Sequence, residues 1–418
     1  VGTSHDSYAA LRFAPFRSLI INRFCLTIAL QIQAVVVGWQ VYERTHDPLA
    51  LGFIGLAEAL PFIGLALFAG HVADRKDRRR IALWSHGALL VCALALFAIA
   101  LEPEAFAPDA VWPIYAVIFA SGIARSFTSP AIMALSAQLV PRELYSNAIA
   151  WRTSTWQIAA VAGPAAGGLL YGFGSARLAY GVDAALVALA IAFLWNVPPV
   201  ARTVASKVLS IGDSLTSGLR FVFGQKLVLG AMTLDLFSVL FGGAVALLPI
   251  FASDILKVGP QGLGILRAAP AMGSALMGVW LAHRPPFKRA GAALFLCVAL
   301  FGTSMIGFAL SRSFLLSIAL LAFSGMVDNV SIVVRSTLLQ TLTPEDMLGR
   351  VSAVNQIFIG SSNEIGAFES GVAAKLLGTV PSVVFGGVMT LLVVAVTAWR
   401  IPQLLRLREI RGESIDGG

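Results

Sequence analysis

Ionisable side chains fall deep inside apolar stretches of this chain, among them Glu58, Arg125, Asp235, Arg267, Asp328, Glu364 and Glu369. A charge in the middle of a membrane-spanning helix costs roughly 2.5–3.5 kcal/mol at the low end, so each is expected to face a cavity or a partner. A carboxyl held away from water can load and release a proton. Glu58, Asp235, Asp328 and Glu364 are therefore the candidates for coupling protons to another movement. For any one of them the alternative is a static interhelical ion pair or a hydrogen-bonded helix cap. Candidate cavity-lining groups are Arg125 and Arg267, Gln33 and Gln40 on one face of the first apolar stretch, Trp156 and Gln157 in the fifth, and Asn329 beside Asp328. Any single Gln could instead bridge two helices.

Those side chains must be carried by helices. Hydrophobic residues make up 57% of the 418, charged residues 12%, and mean hydropathy is +0.82. A soluble domain carries about 25% charge, and too little polar sequence remains here to cover a soluble core. Twelve segments reach the roughly 20 apolar residues a spanning helix needs. They lie near 18–42, 50–73, 81–101, 112–136, 147–173 and 177–195, then 228–252, 260–282, 290–310, 313–335, 350–376 and 380–400. The two sets are related. Residues 121–168 repeat at 324–371 with a constant offset of 203, placing Gly122 on Gly325, Pro141 on Pro344 and Gly163 on Gly366. A second register, at offset 209, places Gly55 on Gly264, Pro61 on Pro270 and Arg75 on Arg284. The expected fold is an all-α membrane protein with twelve transmembrane helices in two pseudo-symmetric six-helix bundles. Residues 1–195 form the first bundle, 196–226 a cytoplasmic linker with a short amphipathic helix, and 227–418 the second bundle and tail. Such parallel repeats place a substrate site near the bilayer midplane between halves.

The repeat also pairs Glu58 with Arg267 and Arg125 with Asp328. Opposite signs at equivalent positions would suit neutralisation between the halves.

Net charge is +8, and its placement sets orientation rather than marking a nucleic-acid surface. Of 30 Lys and Arg, 23 fall in segments sharing the side of the N-terminus, Arg335 and Arg350 among them, so both termini are expected in the cytoplasm. The first apolar stretch is long enough to remain a span, and no cleavable signal peptide is expected. The three Cys and five His show no disulfide or metal-ligand spacing, and no phosphate-cradling Gly-rich loop is present. No metal, cofactor or enzymatic activity is expected, and an ion gradient is the energy source that remains.

The loop Gly70-His71-Val72-Ala73-Asp74-Arg75-Lys76-Asp77-Arg78-Arg79-Arg80 resembles the signature between helices two and three of the major facilitator superfamily, departing from it at Asp77, where Gly is usual. The resemblance implies a cytoplasmic latch built from Gly70, Asp74, Arg75, Arg78 and Arg79, with the start of helix eleven near Arg350 as its partner. A topology-setting basic loop is the alternative. Gly163-Pro164-Ala165-Ala166-Gly167-Gly168 in the fifth span is similar to a motif of the superfamily's proton-coupled exporters, and Arg125 matches a functional Arg of their fourth helix. Proline and small residues also serve as a purely structural bend. Together with Val140–Leu144 and Leu339–Arg350, these segments resemble the enterobactin-exporter and macrolide-efflux branch of the drug:proton antiporters.

The resemblance implies a monomeric transporter of a bacterial inner membrane, working among membrane lipids. It would export a drug-like compound or siderophore by proton-coupled alternating access. Lysophospholipid flipping and nutrient uptake are the alternatives within transport. A non-transporting receptor or assembly partner is the alternative outside it.

Overall fold

A computed structural model describes residues 6–408 apart from 103–109, 137, 200–210, 243, 286 and 345–346; the side chains at 66, 67, 71, 74, 75, 134, 211–215 and 353 also lie outside the described residues. Six long helices come first: α1 Ala14–Thr45, α2 Pro48–Arg75, α3 Arg78–Leu101, α4 Trp112–Ser136, α5 Tyr145–Gly174 and α6 Ala176–Trp195. A shorter α7, Ile211–Gly224, follows. The later part holds α8 Lys226–Phe241, α9 Ala244–Ile250 with a wide π-turn over Phe251–Ile255, α10 Gly259–Ala282, α11 Ala290–Leu310, α12 Phe314–Leu342, α13 Leu348–Leu377, α14 Thr379–Arg400 and a short α15 Pro402–Leu405. No strand occurs among the described residues.

Among the described residues, ten helical stretches are long and apolar enough to cross a membrane, counting Lys226–Ile255 as one. The 30-residue α5 and α13 bring the long helices to twelve. Ser, Thr, Asn, Gln and Glu along these two lower their hydropathy below that of the others. The outward faces remain apolar, with Trp84, Phe173, Leu315 and Leu376 all strongly exposed, as lipid contact requires.

The chain forms two compact units: one of Val1–Val208 with Phe251–Ala268, the other of Leu209–Ile250 with Ala269–Gly418. Phe251–Ala268, expected within the second bundle, thus packs with the first unit. The Tyr42 hydroxyl donates to Asp254 Oδ2 at 2.5 Å, and a methyl on Gly168 would lie 2.9 Å from Gly264 Cα.

Lipid tails are as apolar as leucine, so helices in a bilayer associate by close packing rather than by the hydrophobic effect. The glycines show where backbones meet. A methyl on Gly122 of α4 would come 2.6 Å from Pro61 Cγ of α2, and one on Gly163 of α5 would come 2.6 Å from Gln31 Cβ of α1. The repeat mates reproduce both crossings in the second unit, Gly325 of α12 against the Pro270 carbonyl of α10 and Gly366 of α13 against Leu240 of α8.

Helix α7 is seated on protein. Val222 is buried with Val228, Met232, Val351 and Val354, and Gly218 lies against the Arg350 carbonyl. Cys25 and Cys92 are buried and Cys297 half-buried, none of them in a disulfide.

Candidate functional site

Among the described residues, two of the acid–base pairs join long helices inside a unit. In the first, Arg125 of α4 meets Glu58 of α2, with side chains 41% and 21% exposed. The pair sits one turn from the Pro61–Gly122 crossing, on residues three before the proline and three after the glycine, so the close backbone approach brings the two side chains together. Ser126 completes the crossing, its hydroxyl reaching Pro61 O at 3.3 Å and Gly122 O at 2.9 Å. The partner that Glu58 meets among the described residues thus lies in its own unit.

In the second unit Arg335 of α12 pairs with Asp235 of α8, and here the side chains are only 13% and 10% exposed. Arg335 Nε also donates to Ser331 O at 3.3 Å. The sequence counts Arg335 among the loop charges of the N-terminal side. The structure corrects this: α12 runs on to Leu342, about two turns past the expected end of the span, and carries the guanidinium inside. Breaking such a buried pair leaves an uncompensated charge.

The remaining candidates are spread along the helices. Asp328 and Glu364 are half-buried on α12 and α13, and Arg267 is half-buried on α10. Asn329 Nδ2 donates to Ser274 Oγ at 2.8 Å, and its oxygen has no partner among the described residues. Gln33 is buried, and among the described residues neither its amide nitrogen nor the Gln157 amide oxygen has a hydrogen-bond partner. Trp156 is exposed. Gln40 accepts from Tyr180 at 2.8 Å and so bridges α1 to α6. Buried polar groups without a protein partner are where water or a ligand supplies the missing bond.

The expected loop is mostly helix: Gly70, Asp74 and Arg75 end α2, Arg78 and Arg79 begin α3, and only Lys76 and Asp77 lie between. The side chains of Asp74 and Arg75 lie outside the described residues, and Gly70 has open space around it. Arg78 Nε approaches Ala73 O at 3.5 Å. Arg79 donates to Trp195 O at 2.7 Å and lies over its ring. Asp77 has a job of its own: its carboxylate accepts from the Arg79 and Arg80 amides at 2.9 and 3.3 Å and caps α3. An Asp just before a helical run is the sequence signal for that role.

Three buried polar residues escape the sequence reading. Asp183 in α6 is 1% exposed with neither carboxyl oxygen hydrogen-bonded among the described residues, His86 in α3 is fully buried, and Asn22 in α1 donates to Ala190 O at 2.7 Å. Asp183 meets the criterion that selects Glu58, an ionisable group inside an apolar span.

Residues 19–367 match the sequence profile of the Major Facilitator Superfamily. The chain belongs to the Major Facilitator Superfamily. It is 28% identical over 405 residues to an enterobactin exporter, EntS, of Shigella flexneri, covering 94% of this chain and 93% of that protein. EntS of Escherichia coli O1:K1 is 28% identical over 402 residues, with the same coverage. Among solved structures, a D-xylose-proton symporter matches with TM-score 0.71 at 13% identity, over 96% of this chain and all of that one. A point mutant of the nucleoside transporter NupG matches with TM-score 0.70 at 14% identity over 93% and 99%. These two show the shared fold.

As a superfamily member the protein is a multi-span membrane transporter and not an enzyme. Its helix-five motif is a packing surface in this structure: Gly163 and Gly167 lie on α1, and Gly168 lies on Gly264 of α10. Pro164 sits among them inside the helix.

Proposed function

We propose that this transporter exports a small organic molecule, siderophore-like or drug-like, across a bacterial cytoplasmic membrane in exchange for protons. The observation that carries export is the near full-length likeness to relatives named as enterobactin exporters. The two sequence repeats, residues 1–195 and 227–418 joined by 196–226, are the parts that alternate access. The Gly70–Arg80 loop serves as the cytoplasmic latch, and both termini lie in the cytoplasm.

The acid–base pairs supply the coupling chemistry. Protonating Glu58 or Asp235 removes the carboxylate charge and frees a guanidinium; for the buried Arg335 the loss of its partner is unfavourable by about 3–5 kcal/mol, and for the half-exposed Arg125 by about 1 kcal/mol or less. An acceptor-rich substrate meeting the released guanidinium offsets that penalty, so proton and substrate replace one another. Gln33, Gln157 and Asn329 hold the unpartnered polar atoms a substrate would satisfy.

The test is reconstitution of the full chain into liposomes with an imposed pH gradient, offering a catecholate siderophore, dyes and lysophospholipid. Siderophore or dye movement against proton flow is the expected result. Substrate and protons moving in the same direction, or lysolipid moving without protons, would overturn the reading.

A further inference from the structure

The first unit contains a cavity of about 450 Å³ at the ends of α1, α3, α5 and α6, lined by Gln40, Glu43, Arg44, Tyr171, Ser175 and Arg177 among others. It lies at the end of the unit away from the Arg79–Trp195 contact, inside one repeat. We propose that this cavity binds a phosphate ester, with Arg44, Arg177 and the start of α6 taking the phosphate oxygens. This site is separate from the acid–base pairs and does not depend on the export reading.

Three observations favour an oxyanion. Arg177 is already positioned, its Nε on Ala100 O at 2.9 Å and one Nη on Leu101 O at 3.1 Å, which neutralises the carbonyl end of α3 and leaves the other Nη for a ligand. Arg44 makes no ion pair or hydrogen bond among the described residues. Guanidinium groups match the spacing of phosphate oxygens in a way few other side chains do. Finally, α6 opens into the cavity without a side-chain cap and with no acid in its first turn. Its N-terminal amides and dipole therefore attract negative charge. Ser175, the residue before it, holds φ at 104°, a conformation that side chains rarely adopt and that tends to be kept at functional sites.

The volume and the remaining lining argue for an ester rather than bare phosphate. Small-molecule sites run about 300–1,000 Å³, and a bare anion would leave most of this one unfilled. Glu43, whose carboxylate accepts from the Tyr171 hydroxyl at 2.5 Å, presents negative charge to whatever the phosphate carries. That fits a hydroxyl- or ammonium-bearing substituent. Phe173 is 81% exposed and Leu178 is also exposed, so an acyl chain on such an ester would find an apolar surface beside α6.

The experiment uses the purified full chain. Thermal unfolding in detergent is followed with glycerol 3-phosphate, phosphoethanolamine and inorganic phosphate. Lipid retention from nanodiscs of mixed phosphatidylglycerol, phosphatidylethanolamine and phosphatidylcholine is read by native mass spectrometry. At least one ester or one headgroup is expected to bind, and Arg44→Gln to weaken it by about tenfold or more. Arg44→Gln should melt like the parent without ligand; Arg44→Glu serves as the second, stronger variant. Ester binding without lipid retention assigns the site to a soluble ligand, and lipid retention without ester binding assigns it to the membrane; either supports the proposal. Inorganic phosphate binding as tightly as every ester, no binding of any probe, or binding unchanged in both Arg44 variants overturns it.

Discussion

The α2–α4 crossing of the first unit and the α10–α12 crossing of the second are the same piece of backbone furnished with different side chains. Each puts a glycine of one helix on a proline of the other, Gly122 on Pro61 and Gly325 on Pro270. One turn away the first crossing carries the Glu58–Arg125 pair, and Ser126 bonds back to the proline carbonyl. At the second crossing the Ser126 mate, Asn329, bonds Ser274, while an acid–base pair of this unit, Asp235–Arg335, joins α8 to α12. Where two backbones touch, no side chain can be added, so duplication preserved the contact. Where side chains project past it, charge and polarity were free to diverge.

The largest effect should come from filling the crossings. Gly325→Ala drives a methyl into a backbone carbonyl that cannot retreat, and we expect a loss of about 3 kcal/mol or more, read as lost monodisperse protein or a collapsed melting temperature in detergent. Gly122→Ala meets a ring carbon at 2.6 Å, which can shift by a change of pucker, and should cost about 1–2 kcal/mol. Equal losses would break the comparison.

Next come the pairs. Asp235→Asn strands Arg335 in a dry environment and should destabilise by about 3 kcal/mol. Glu58→Gln leaves Arg125 half-exposed to water and should cost about 1 kcal/mol or less by the same melting assay. In transport the order need not follow stability. At least one of Glu58→Gln, Asp235→Asn, Asp328→Asn and Glu364→Gln should abolish proton-driven flux in liposomes while folding normally. Retention of coupled flux by all four removes these carboxyls from the mechanism. The smallest effect separates the two loops that follow the crossings. Asp77 caps α3, whereas Arg289 at the equivalent start of α11 makes no side-chain cap. Asp77→Ala should cost about 1 kcal/mol and Asp77→Gly, which restores the usual superfamily residue, a few tenths.

The helices and the repeat were legible because they depend on composition and spacing, which sequence carries directly; the repeat marked Gly122 and Gly325 without showing that backbones meet there. Partners were not. The offset that pairs Glu58 with Arg267 concerns ancestry, whereas the contact with Arg125 depends on how far two helices rotate about Pro61 and Gly122. Arg335 was hidden by an end effect, since apolar windows stop at the first charge although the helix continues. Gln40 shows a different limit: it does line a cavity at the end of α1, but nothing in its spacing announces the hydrogen bond its oxygen accepts from Tyr180, 140 residues later. Asp183 and His86 are diluted by the apolar residues around them, and averaging over a span erases them.

The shielded thiols have a practical consequence. With Cys25 and Cys92 enclosed and Cys297 half-covered, the natural chain is close to its own unreactive background. A single new cysteine at Arg142 or at Ser175, exposed positions beyond the two ends of α5, could be reached by a membrane-impermeant maleimide from one compartment each. Sidedness in whole cells then becomes measurable before any substrate is known.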